Sequence, residues 1–190
     1  IGALLALRIH RSGIVVATTL QMIGLIPWVT SMVVAALLWK WLLDYELGLV
    51  NYVLTLLGLG KQALLSKVST SIYGVIFVVT WRTVGYSMVM VLAGLKTIPL
   101  EVEEAASIDG CRAWQTLRHI RLPLIKTQLL ISSIVLVMSN FNNFVVPQTL
   151  TGGGPGTSSN VISITMYKEG FNYARYGLSS AIALLILLVN

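Results

Sequence analysis

From Ile14 to Trp39 the chain carries no charged residue, and the same is true from Thr127 to Pro147. Runs of this length constrain the fold more than any other feature, because a water-facing surface cannot be built from them. At ~1.5 Å per residue the second run covers ~31 Å as a helix, about one hydrocarbon thickness of a bilayer. A backbone inside hydrocarbon must satisfy its own hydrogen bonds, which leaves helices or a closed barrel. Barrel strands alternate polar and apolar residues; these runs do not, so an all-α membrane protein is expected. Composition agrees: 56% of residues are hydrophobic and 11% charged, where soluble domains have about a quarter charged.

The expected spans are 14–39, kinked near its middle by Pro27, then 71–95, interrupted only by Arg82, then 127–147, with partial spans at 1–7 and 176–190. The last is shorter than the ~20 residues a span needs, so the sequence reads as an internal piece of a longer chain. Together they form a single transmembrane domain over 1–190. Between Lys40 and about Ser69 lies an outer segment, with a Leu-rich middle suited to a short surface helix and "GLGKQ" as its turn. "TGGGPG" (Thr151–Gly156) lacks the Gly-Lys-Ser/Thr that would hold a nucleotide and reads as a tight outer turn.

Several functions are disfavoured at once. Cys111 is the only cysteine, so no internal disulfide or cysteine-based metal site is expected. His10 and His119 are the only histidines, and no carboxylate pair lies in a span, so neither catalytic nor metal residues are expected. The formal net charge of +6 sits at span ends rather than on one polar face, which argues for membrane topology over nucleic acid. One side holds Arg8, Arg11, Lys96, Arg112, Arg118, Arg121 and Lys126; the other holds Lys40, Lys61, Lys67, Lys168 and Arg175. Seven against five places the side with residues 96–126 in the cytoplasm.

That loop, 96–126, is the densest charge cluster in the chain. Pro99 opens a helix whose first turns carry Glu101, Glu103 and Glu104, where carboxylates complement the helix dipole. Asp109-Gly110 ends it, because glycine takes the left-handed conformation cheaply. A second short helix runs from Cys111 to about His119, and Leu122-Pro123 leads into the next span. Two readings stand side by side: a solvated loop whose charge marks the water, or a docking knob for a cytoplasmic partner.

The segment "EEAASIDGCRAWQTLRHIRLP" resembles the EAA loop of the membrane subunits of bacterial ABC importers. The matching positions are Glu104, Ala105, Ala106, Asp109, Gly110, Trp114, Ile120, Leu122 and Pro123; Cys111 stands where the family usually has alanine. "LLDYELGLVNYVL", "LAGLKTIP" and "TGGGPG" resemble the carbohydrate-importing subfamily, and "NFNNF" (Asn140–Phe144) is similar to the maltose-importer type. The resemblance implies a type I ABC importer permease, a polytopic helix bundle in the bacterial plasma membrane, with about five of its spans held here in part or whole. It implies that 96–126 is a cytoplasmic coupling loop, with Glu104, Ala105, Ala106, Asp109, Gly110, Trp114, Leu122 and Pro123 docking on an ATPase. It further implies a second permease subunit, giving a heterodimer, two ATPase subunits and an extracytoplasmic solute-binding protein. The chain has no Walker motif, so ATP and Mg are expected on the ATPase, with no cofactor and no enzyme activity on this chain.

For the solute path, polar side chains inside hydrocarbon are costly and face protein or a cavity. Tyr86 and Arg82 lie ~15 and ~21 Å above Lys96, and Asn140 and Asn143 ~20 and ~24 Å above Thr127, by helical rise. Arg82, Thr83 and Tyr86 share one helix face; Ser132, Leu136, Ser139 or Asn140, Asn143 and Pro147 share another. Amides and a tyrosine suit a polyol, but the same residues can instead bond helix to helix. In the maltose importers that the chain resembles, positions matching Thr83, Tyr86, Asn140 and Asn143 line the sugar site. Arg82 has two readings, an anion contact for a sugar phosphate or glycerol-phosphate-like solute, and a local structural pairing. A secondary transporter is the remaining alternative, against which stands the scarcity of ionisable residues in the spans.

Overall fold

In the computed structural model, which describes residues 1–10 and 12–190, the described chain is helical, with no strand among these residues. Arg11, counted above among the basic residues, lies outside them. In chain order the helices are α1 (Gly2–His10), α2 (Ile14–Val29), α3 (Met32–Leu42), α4 (Leu49–Leu56), α5 (Ser71–Lys96), α6 (Leu100–Ile108), α7 (Ala113–Thr116), α8 (Leu122–Leu124), α9 (Lys126–Phe141), α10 (Val145–Thr151), α11 (Ile162–Tyr167) and α12 (Tyr176–Val189). Two π-helical turns, Leu117–Arg121 and Lys168–Asn172, interrupt them.

Of the expected spans, only the one over 71–95 forms a single helix long and apolar enough to cross a membrane, α5; with each bent pair taken as one span there are up to three. The stretch 14–39 is two helices rather than one kinked helix. The break falls at Thr30-Ser31, three positions beyond Pro27, which stays inside α2. Ser31 is extended (φ −51°, ψ 137°) and its carbonyl starts α3 by accepting the Ala35 N–H at 2.9 Å. The stretch 127–147 is likewise broken, because α9 ends at Phe141 and α10 starts at Val145. Pro147 has no N–H to give the Asn143 carbonyl, which takes the Ser163 hydroxyl instead, at 3.3 Å. The face expected to run from Ser132 to Pro147 is therefore not one helix face.

The chain forms two compact units, each built from two segments. The first comprises Ile1–Val29 and Thr83–Val137. Its core joins Ala6 and Ile9 of α1, Met88, Val91, Leu92 and Leu95 of α5, and Ile125 at the foot of α9. Glycines let α2 and α5 cross closely here: a Cβ on Gly85 would lie 2.5 Å from the Gly24 carbonyl oxygen, and one on Gly24 2.7 Å from the Met88 sulfur.

The second unit comprises Thr30–Arg82 and Met138–Asn190. α10 packs on α3, whose Ala35 and Ala36 are fully buried and keep the approach short. Val75, Val78, Val146 and Leu150 complete this core. The Trp39 ring meets Phe77 and Trp81 edge-on, with centroids 4.7 and 5.4 Å away. The outer segment does contain a short helix, α4, and Gly58 and Gly60 (φ +75° and +67°) make the turn after it. α12 buries no residue, and its Leu184, Leu185, Leu187 and Leu188 are exposed, as side chains facing lipid would be.

Candidate functional site

The loop 96–126 lies wholly in the first unit. Pro99, extended at φ −59° and ψ 141°, caps α6, and Glu101 and Glu103 fall in its first turn. The helix ends in a Schellman turn. The Gly110 N–H bonds the Ser107 carbonyl at 3.1 Å and the Cys111 N–H bonds the Ala106 carbonyl at 3.0 Å, with Gly110 at φ +73°. Asp109-Gly110 therefore breaks the helix as expected. Ala106 is buried, whereas Glu104, Ala105 and Asp109 are exposed. The tip is apolar as well as charged: Ile108 is 86% and Trp114 65% exposed.

The second helical run is present but shifted from the expected Cys111–His119: it starts at Ala113 and continues through a π turn to Leu124. α7 spans only four residues, Ala113–Thr116, opened by the Gln115 side chain accepting the Arg112 N–H at 2.7 Å. The π turn follows. Pro123 cannot donate to the His119 carbonyl, and the ladder widens one turn ahead of it. Leu122 and Pro123 then lie in α8, and the chain turns by 69° at the buried Ile125 into α9.

Sequence reasoning treated Glu103 as one of three similar acids, and the structure separates it from them. Glu103 points inward to Arg121, which is 6% exposed. Arg121 Nε and Nη2 donate to Glu103 Oε1 and Oε2 at 2.7 and 2.9 Å, and His10 Nε2 lies 3.3 Å from Oε1. The two Arg121 hydrogen bonds, and then its charge, hold the Glu103 carboxyl below the usual carboxylate range against the opposing effect of burial.

The candidate solute contacts fall in different units. Thr83 and Tyr86 belong to the first, where the Tyr86 ring lies 5.8 Å from Trp28. Asn140 and Asn143 belong to the second. Asn143 Oδ1 accepts the Val146 N–H at 3.3 Å and so caps α10, while its Nδ2 and the Asn140 carboxamide bond no other described residue. Arg82 forms no ion pair among the described residues, and its Nε is buried with no partner there.

The glycine loop is a structured turn. Gly152 ends α10 at φ +61°, Lys168 Nζ donates to its carbonyl at 3.0 Å, and the buried Ser159 hydroxyl donates to the Gly154 carbonyl at 2.7 Å. Beside it an open pocket of about 370 Å³ is lined by Lys40, Asp44, Tyr45, Thr151 and Pro155. The Asp44 carboxylate there accepts the Leu47 and Glu46 N–H groups at 2.9 Å, which lowers its pKa.

The binding-protein-dependent transport system inner membrane component family matches the chain over residues 1–190. The chain belongs to this family. It is 32% identical to the trehalose/maltose transport system permease protein MalF of Thermococcus litoralis, over 87% of this chain and 56% of that protein. It is 33% identical to the diacetylchitobiose uptake system permease protein DasB of Streptomyces coelicolor, over 100% of this chain and 58% of that protein. The fold resembles a chain of a bacterial alginate ABC transporter, solved in complex with alginate pentasaccharide-bound periplasmic protein. The TM-score is 0.89 and the identity 26%, over 99% of this chain and 66% of that one. The chain thus spans a little over half the length of the curated relatives it matches. The family is one of membrane transport components rather than enzymes, and the all-α permease fold expected from the resemblance is the fold observed.

Proposed function

We propose that this chain is the translocating, multi-pass subunit of an ATP-driven importer for a sugar or related polyol. It pairs with a second permease subunit, two ATPase subunits that carry ATP and Mg, and an extracytoplasmic solute-binding protein. The loop 96–126 faces the cytoplasm and docks on an ATPase. The observation that carries this reading is the exposed knob. A Schellman turn at Gly110 joins a helix on which Glu104 and Ile108 stand exposed to a second one on which Trp114 is exposed, in the loop that follows a helix long enough to span a membrane. Apolar side chains presented in this way on a water-facing loop mark a docking surface. Carbohydrate permeases among the relatives support the solute class. Thr83, Tyr86, Asn140 and Asn143 are proposed as the solute contacts.

The full-length protein, co-expressed with its ATPase, partner permease and binding protein in proteoliposomes, should take up radiolabelled trehalose, maltose or diacetylchitobiose only with ATP. Gly110→Arg forces a side chain into the left-handed conformation, a strain of ~1–2 kcal/mol. The variant should still insert and hydrolyse ATP but lose about ten-fold in uptake, the equivalent of ~1.4 kcal/mol. Normal uptake by this variant would remove Gly110 from the coupling role.

A second reading, an anionic sugar, rests on the buried, unpartnered Nε of Arg82. A guanidinium in that state favours a phosphate or carboxylate, and the solved structural relative belongs to a system that imports an acidic polysaccharide. Arg82→Ala should then lower uptake of a phosphorylated sugar while leaving the neutral one unchanged; equal effects on both would reject the anion role.

A further inference from the structure

The ion cluster behind the knob ties together three elements distant in sequence. Glu103 lies in the first turn of α6, Arg121 is the last residue of the π turn, and His10 is the last residue of α1. Among the described residues, every side-chain hydrogen bond that leaves α6 is made by Glu103. The knob is otherwise tied in by the turn at Thr97 and Ile98 at its entry, by the buried Ala106, and by the bend at Ile125 at its exit.

The cluster is unlike the other ion pairs of the chain. Lys61–Glu46 has side chains 40% and 69% exposed, and in Arg175–Glu169 the arginine side chain is 65% exposed. In Arg121–Glu103 the figures are 8% and 21%. Pairs on the surface contribute little and hold little in place. In a partly buried pair the cost of desolvation offsets much of the attraction, so we take its contribution here as fixed geometry rather than net stability. Arg121 even keeps Nη1 buried without a partner among the described residues, which costs further stability. The two parallel N–H···O bonds fix the orientation of α6 as well as its distance, which a lysine, as a point charge, would not do. Glu104, on the neighbouring position, is left exposed on the outer side of the same helix.

We propose that Glu103, Arg121 and His10 form the joint that passes movement of the coupling helix to α1 and α9. They are positioning residues for transport, not contacts for the ATPase or the solute. When the ATPases pull on the knob, the rigid fork carries α1 and the foot of α9 with it. Without the fork, α6 keeps only its end turns and the packing of the small Ala106, which do not fix its orientation, and the movement dissipates. This inference rests on the import reading above.

The test is the ratio of ATP hydrolysed to sugar taken up by the full-length complex in proteoliposomes, with trehalose, maltose and diacetylchitobiose as probes. Arg121→Lys keeps the charge and Glu103→Gln keeps the shape, and each breaks the charged two-bond fork. Each should assemble and hydrolyse ATP, with the ratio raised several-fold. His10→Gln should raise it less, because its bond is the longest of the three. The exposed neighbour variant Glu101→Gln should leave it at the wild-type value. A purely structural pair would lower the yield or melting temperature of the complex and leave the ratio alone; that outcome overturns the joint. Should the single variants fail to assemble, the charge-swapped pair Glu103→Arg with Arg121→Glu decides: recovered assembly with a near-wild-type ratio supports the joint, and recovered assembly with a ratio no lower than that of Gly110→Arg overturns it. The wild-type complex in parallel separates the two failures. If wild type shows no ATP-driven uptake, the import reading falls and the joint with it; if wild type imports and the variants keep its ratio, the joint alone falls.

Discussion

Asn51 is 1% exposed and holds the outer segment together through its carboxamide. Its Nδ2 donates to the carbonyls of Asp44 and Gln62, both at 3.0 Å, and its Oδ1 accepts the Gln62 N–H at 2.7 Å. Asn51→Ala removes all three bonds at once, and a buried polar group left without its partner costs ~1–3 kcal/mol. The variant should melt at a clearly lower temperature in detergent, whereas Tyr52→Phe, at an exposed neighbour, should not; equal melting of the two would show that the carboxamide bonds contribute nothing net. Nothing local distinguishes Asn51 from any polar residue on an amphipathic helix. Gly110 is the opposite case: Asp-Gly after an apolar-and-acidic helix announces a left-handed turn by itself, and the backbone has it. Glu103 falls between the two. Its place in a first helical turn follows from its position after Pro99, but its inward orientation follows from Arg121 and His10.

Among the helices, the uncharged runs locate apolar segments correctly and mislead about their continuity. Hydropathy cannot see the break at Thr30-Ser31 or at 142–144, because hydroxyl and amide side chains carry no charge and the apolar residues resume beyond them. Pro147 was the available signal, since proline belongs in a first helical turn and α10 begins just before it. The close crossing of α2 and α5 was also missed, because an isolated glycine in a helical run is an ambiguous sign. In an open helix, Gly→Ala gains roughly 0.5–1 kcal/mol. At Gly85 the added Cβ would meet backbone 2.5 Å away, so the sign should reverse. Gly85→Ala is expected to lose ~1–3 kcal/mol of stability. Gly177→Ala in α12, where a Cβ meets nothing within 4 Å, should lose none. Thermal unfolding of the two variants side by side checks this, and a Gly85→Ala variant as stable as the parent would mean that the helices part at no cost.

For the molecule as a whole, the sequence by itself determined the solvent, the helical class and the turns that shape the knob, though not where the long apolar runs break. Long uncharged runs require lipid, lipid requires helices, and the Pro99, Asp109-Gly110 and Leu122-Pro123 signals shape the loop between two of them. These are local properties, set by the chemistry of residues a few positions apart. Tertiary structure alone decided which polar groups meet. It joined His10 to Glu103 across 93 positions and Glu103 to Arg121 across 18. It also divided the chain so that Thr83 and Tyr86 belong to one compact unit and Asn140 and Asn143 to the other. The physical reason is that periodicity tells which face of a helix is apolar, while the partner of a buried polar group depends on how separate helices pack, and that is written only in the contacts between them.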